Sequence, residues 1–349
     1  MSHTIGRDSL MYYLRKWTSL ILSMVVVWST ASAAEAPLKI RSVFDINSAF
    51  CAIKTNGVLG LDNRDSAAAG RGFGSASTNA LLFLENGEND ITLEIGALGW
   101  FSEEKTLENV RKVFNPNASC NLALTAFKGE QTQVLSRIHV AINKEGIPFV
   151  QTTGGTASTT PDRITIKKIS AQQVEKGHVP ADYFRSNYFP DGMELYQFTQ
   201  KVYLKGLPEW KWTKATPFTG KPEQVQALKL AYLELWQLFA TKNSAAIKFR
   251  LGESLYAWSV TTGENIDDVY NDNKFVEDIK NKKFEMIPID WGNYSLEVVN
   301  NNKMVRFVNK TIPEISPLSY FIEGEGGEKQ LGYFSPIFSL IDGKFIPVI

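Results

Sequence analysis

The chain predicts an α+β protein: an antiparallel β-sandwich over residues 34–207, a linker over 208–222, and a helices-then-sheet, cone-like α+β region over 223–349. Two observations carry that reading. Short apolar runs separated by turn signals fill the first part with hardly any helical periodicity between them. Apolar spacing then changes at Val225 to steps of three and four, and strand-like runs return only after Lys282.

The first 33 residues stand apart from both regions. Arg15 and Lys16 precede an apolar run, Leu20 to Trp28, which ends at Ala31-Ser-Ala33. That order of charge, apolar core and small residues is an export signal, and the core is shorter than the ~20 residues that span a bilayer. Cleavage near Ala33, delivery to the periplasm or the exterior, and no stable membrane anchor are therefore expected. Met11 offers an alternative start to Met1 with a conventional short basic region.

Within 34–207, Asn56-Gly57 separates Cys51-Ala-Ile-Lys from Val58-Leu-Gly-Leu, and Asn86-Gly87 separates Leu81-Leu-Phe-Leu from Ile91-Thr-Leu-Glu-Ile. Lys128-Gly129 likewise divides Leu122–Phe127 from Val134–Ile142. Asn-Gly suits a two-residue hairpin because a type I′ turn needs positive φ at both central positions. Ile164 to Ile169 and Leu195 to Leu204 complete a set of at least eight strands. Arg64–Thr78, rich in Ala, Gly and Ser, and Gln151–Pro161 read as loops. Cys51 and Cys120 are the two cysteines of the chain. In an oxidising compartment an inter-strand or inter-sheet bridge between them is expected, against the alternative of two buried free thiols.

Pro208–Pro222 carries Trp210 and Trp212, which alternate and so project to one side of an extended segment. They are candidate partner-binding anchors, and the competing reading has them filling the seam between the two regions. A first helix follows, with Val225, Leu228, Tyr232, Leu235 and Phe239 on one stripe and Pro222 in its first turn. A second begins near Asn243 or Ser244 and ends before Gly263; a third covers Asp267–Lys282. Strands are expected at Phe284–Ile289, Tyr294–Val299, Met304–Val308, Tyr320–Ile322 and Tyr333–Ile341, the last paired with Lys344–Ile349 across Asp342-Gly343.

The helical run from Leu228 to Ile247, a further helix, and strands ending in Ile341-Asp-Gly-Lys-Phe-Ile-Pro-Val resemble, in element order, the cone fold of nuclear-transport-factor-like and SnoaL-like domains. The resemblance implies helices packed in the hollow of a curved sheet. It also implies a pocket lined from Tyr232, Trp236, Tyr256, Trp258, Tyr294, Arg306 and Tyr320, with Asp290 as the nearest carboxylate. Aromatic residues at helical spacing equally fit a plain core, and the fold hosts both enzymes and binding modules.

Chemistry is sparse elsewhere. His139 alternates with Ile138 and Val140 and is expected on the wet strand face; His178 lies in a loop with Asp182 four residues on. Neither has a second His or Cys at ligand spacing, so no metal and no cofactor are expected. Gly70-Arg-Gly-Phe-Gly resembles a phosphate loop only in its glycines, and no Gly-x-Ser-x-Gly elbow occurs. Lys+Arg and Asp+Glu both number 37, which argues against nucleic acid as a partner. The expected function is that of an exported, non-enzymatic protein-binding protein; the profile is similar to periplasmic immunity proteins that neutralise a secreted bacterial toxin. The alternatives are a hydrolase or isomerase using the cone pocket, and a glycan-binding or adhesion protein.

Overall fold

The computed structural model describes residues 36–102, 107–151, 164–171 and 189–349. The export segment, nearly all of the Gln151–Pro161 loop, and His178 lie outside the described residues. Residues Pro37–Ile349 form one compact unit.

The sandwich is built from Lys39–Asn47 (β1), Phe50–Thr55 (β2), Val58–Asp62 (β3), the short helix Arg64–Ala68 (α1), Gly74–Asn79 (β4), Gly87–Gly96 (β5), the turn of helix Glu108–Arg111 (α2), Ser119–Lys128 (β6), Gln131–Ile142 (β7), Pro148–Val150 (β8), Ile164–Ser170 (β9) and Glu194–Leu204 (β10). Two five-stranded antiparallel sheets result, in the orders β4-β1-β6-β7-β8 and β3-β2-β5-β10-β9. Alternate residues of β1 and β6 turn inward, among them Phe44, Ile46, Leu122 and Leu124, and meet Ile53, Leu93, Ile95 and Phe198 of the opposite sheet. The Cys51–Cys120 disulfide joins β2 to β6 and so crosses between the sheets, with Cα atoms 6.7 Å apart.

Two sequence expectations fail in this half. Asn86-Gly87 is no hairpin: Leu81–Phe83 forms a single 3₁₀ turn, and β5 pairs with β2 and β10 instead. The Asn86 side chain is taken by the Leu207 backbone, accepting from its N at 2.9 Å and donating to its O at 3.0 Å. Arg64–Thr78 is likewise not one loop, since it contains α1 and the edge strand β4. That strand pairs with β1 from Gly74 opposite Ile46 to Asn79 opposite Arg41, and Arg41 Nε bonds Ser77 Oγ at 2.7 Å.

The second half begins with Pro222–Ala240 (α3), Ser244–Arg250 (α4), Gly252–Thr262 (α5), Ile266–Asn271 (α6) and Lys274–Asp278 (α7). Pro222 opens α3 where its missing N–H costs nothing, Asn243 caps α4 by accepting from Ala246 N, and Gly263 closes α5 at φ +84°. The expected second and third helices are each broken in two, at Leu251 and at Asp272-Asn273. At the latter break the Asn273 amide bonds the Val269 carbonyl.

The remaining strands are Glu285–Met286 (β11), Tyr294–Val299 (β12), Met304–Asn309 (β13), Leu318–Glu323 (β14), Lys329–Phe334 (β15), Phe338–Ile341 (β16) and Lys344–Pro347 (β17). They form an antiparallel three-stranded sheet, β11-β14-β15, and a four-stranded one, β12-β13-β16-β17. Ser335-Pro336 interrupts the expected Tyr333–Ile341 strand, because proline cannot donate to a ladder. The buried stripe of α3 packs Tyr232 against Phe307 and Phe338, and Phe239 against Phe275 and Phe334.

A set of polar contacts locks the two halves together. Lys303 pairs with Glu85 at 2.7 Å, Asn300 N donates to Asn56 O at 2.8 Å, and the side-chain amides of Asn56 and Asn300 both donate to Phe83 O. Buried polar groups with partners at this geometry fix one relative placement of the elements that carry them.

Candidate functional site

The residues expected to line a shared pocket are dispersed. The Tyr232 hydroxyl is buried, accepts from Phe307 N at 3.1 Å and donates to Pro336 O at 3.4 Å. Burial raises its pKa far above the usual phenol value. Tyr320 is buried too and donates to Asp278 Oδ2 at 2.7 Å; burial first, then the Asp278 carboxylate, pushes its ionisation up. Trp236 Nε1 donates to Ile287 O at 2.8 Å, and the Tyr294 hydroxyl donates to Ser316 O at 3.2 Å. Asp290 is exposed and caps the turn Trp291–Asn293, accepting from Gly292 N at 3.0 Å. Tyr256 and Trp258, on α5, are 49% and 36% exposed. These side chains are core posts, turn caps and surface residues rather than walls of one hollow; the rings at helical spacing fill the interior.

Trp210 and Trp212 do not form an anchor surface either. They are 2% and 1% exposed, Trp210 Nε1 donates to Leu84 O at 3.1 Å, and Lys303 Nζ sits 6.0 Å from the Trp212 ring centre. The segment carrying them is not extended but turns through a 3₁₀ helix, Lys211–Lys214, and Thr216 N bonds Leu340 O at 2.8 Å. Both indoles fill the seam. His139 is half-buried on β7, and burial, followed by the Arg137 charge, lowers its pKa.

Two features missed by sequence reasoning are open to ligands. The first is a cleft of about 890 Å³ where the sandwich meets the four-stranded sheet. It is bounded by edge strands of three sheets, β3, β4 and β12. On the sandwich side, Arg64 Nη2 bonds Asp62 Oδ2 at 2.8 Å, and the guanidinium lies 4.4 Å from the Phe189 ring centre. On the opposite side the cross-strand neighbours Glu297 and Arg306 pair at 2.5 Å through Arg306 Nε. Arg306 is the one expected pocket residue that reaches this cleft.

Phe73 projects into the cleft from the glycine-rich segment and is 55% exposed. Gly72 there serves packing: a Cβ on it, already at φ +65°, would meet Ala49 N at 2.8 Å. Within the cleft Asp62, Asp65, Glu297 and Glu314 face Arg64, Arg306 and Lys310, so the charge is close to balanced. Among the described residues no group of three His, Cys, Asp or Glu side chains is placed to hold a metal ion, and no helix is long and apolar enough to cross a membrane.

The second feature is the outer face of α3 and α4. Leu230 is 57% exposed, Leu233 41% and Phe249 88%. Arg250 Nε pairs with Glu234 at 3.1 Å, which ties the end of α4, where Phe249 lies, to the outer side of α3. Family models, characterised proteins and solved structures provide no match to this chain.

Proposed function

We propose that the protein is an exported, non-catalytic binding protein that engages another protein through the outer face of α3 and α4. The observation that carries this reading is the group Leu230, Leu233 and Phe249, held in water by helices whose opposite stripes are buried. Neighbouring exposed apolar side chains on a rigid element are the usual material of a protein interface, and a protruding aromatic is the residue type enriched at its energetic centre. Export is supported by the sequence from Arg15 to Ala33 and by the Cys51–Cys120 bridge, which belongs to an oxidising compartment. A secreted toxin, neutralised by occlusion, is the partner this profile fits first. For the second half, the cone-like arrangement is supported by the helices-first order and by the packing of α3 on β13 and β16 through Tyr232.

The test is affinity capture from the source organism with the processed chain, followed by calorimetry. Phe249→Glu should weaken binding by about 2 kcal/mol or more without lowering the melting temperature. Turnover of a substrate, lost on changing Asp290 or Tyr256 and accompanied by no captured protein, would replace this reading with the pocket-enzyme alternative.

A further inference from the structure

We propose that the cleft between the sandwich and the four-stranded sheet is a binding site for a neutral oligosaccharide. This site is separate from the helical face assigned above to a protein partner, and its ligand is of a different class.

Each wall carries a carboxylate–guanidinium pair that is neutralised internally, and the Arg306–Glu297 pair is also unsaturated in hydrogen bonding. Arg64 gives Nη2 to Asp62, while its Nε is buried and has no partner among the described residues. Arg306 gives Nε to Glu297, and its two terminal amino groups bond no protein atom among the described residues. Glu297 accepts through Oε2, which leaves lone pairs on Oε1. On the Arg306–Glu297 wall a donor and an acceptor therefore sit side by side on two partly exposed side chains; on the other wall the Asp62 carboxylate is engaged by Arg64, Oδ1 accepting from its backbone N and Oδ2 from Nη2.

A net-charged ligand drawn to either pair would find its counter-charge already taken and would have to displace a partner at 2.5 or 2.8 Å. A neutral ligand with adjacent hydroxyls avoids that cost, because one hydroxyl accepts from the guanidinium while its neighbour donates to the carboxylate. Vicinal diols of a pyranose have that arrangement. The Phe73 ring offers an apolar plate for the C–H face of the same sugar, since the ring face is electronegative and the C–H edge is its complement. At about 890 Å³ the cleft falls within the ~300–1,000 Å³ usual for ligand sites and has room for more than one sugar ring. The polar contacts between Lys303 and Glu85 and between Asn300 and Asn56 hold the two walls at a fixed separation, so the site exists before the ligand arrives.

The experiment uses the processed full chain. Cellotriose, chitotriose, maltotriose and mannotriose are titrated by calorimetry and by native mass spectrometry, beside trigalacturonate, an acidic peptide and a basic peptide. At least one neutral trisaccharide should bind one per chain, and the charged probes should bind more weakly. Arg306→Ala and Glu297→Gln should each weaken that binding about tenfold. Phe73 is largely exposed, so Phe73→Ala should weaken it with an unchanged melting temperature. Absence of binding by every neutral probe, tighter binding of a charged probe, or affinity indifferent to Phe73→Ala would overturn the assignment. Phe249→Glu should leave sugar binding intact, so failure of the protein-partner reading and failure of this one are distinguishable.

Discussion

Reduction of the Cys51–Cys120 bridge is the perturbation whose magnitude follows most directly from the structure. The two cysteines lie 69 residues apart, on strands of different sheets that share no ladder. No backbone hydrogen-bond ladder between β2 and β6 therefore duplicates the constraint that the bridge imposes. In the chain-entropy treatment, opening a loop of that length frees the unfolded ensemble by about 4 kcal/mol at 25 °C. That is a large share of the ~5–15 kcal/mol by which domains are stable, and it converts to a fall in melting temperature of about 6 °C, because the unfolding entropy of ~2.1 cal/mol/K per residue over the compact unit Pro37–Ile349 gives ~1.5 °C per kcal/mol. Both sulfurs are fully buried, so a reductant acts through opening of the fold, and samples should be reduced in denaturant and refolded before heating. The assay is thermal unfolding followed by near-ultraviolet dichroism, oxidised against reduced, with thiol alkylation under non-reducing denaturing conditions to count free cysteines. Two alkylated thiols in the untreated protein, or reduced and oxidised forms melting within ~1 kcal/mol of each other, would refute the reasoning.

The remaining predictions concern packing and pH. Trp212→Ala should cost about 3–5 kcal/mol of stability in chemical denaturation while the folded fraction keeps its partner affinity; lost affinity at unchanged stability would return Trp212 to an interface role. His139 has a pKa below its ordinary 6.5, from burial and then from Arg137. Well above pH 6.5 it is neutral in both states and has no effect; as pH falls through 6.5 the unfolded chain takes up the proton first and stability drops. His139→Gln should therefore flatten the stability profile between about pH 7 and 5, and an unaltered slope in urea unfolding across that range would contradict the assigned shift.

What could be read from the chain alone were features decided within a few residues of themselves. Asn56-Gly57 turns as expected because both positions adopt positive φ, +49° and +81°, a property of that dipeptide. Asn243 and Gly263 end their helices for equally local reasons. Asn86-Gly87 carries the same signal as Asn56-Gly57 and has a different fate, because the Asn86 side chain is claimed by Leu207, 121 residues away. The two seam tryptophans follow the same rule: their spacing is visible in sequence, but which surface covers them depends on Leu84 and on the strands of the other half.

The cleft was hidden for a related reason. Arg64 and Asp62 are two residues apart, and their pairing is local. Glu297 and Arg306 are neighbours once the β12–β13 register is known. That both pairs face one space is decided by neither segment. It follows from the lock in which Asn300, at positive φ in the turn after β12, places its N–H on Asn56 O in the turn after β2. A hairpin signal fixes the shape of each turn, and a long-range contact between the two turns fixes the separation of the walls. A site assembled from edge strands of three sheets is thus legible piecewise in sequence, as turns and cross-strand pairs, and becomes a site only where the turns meet.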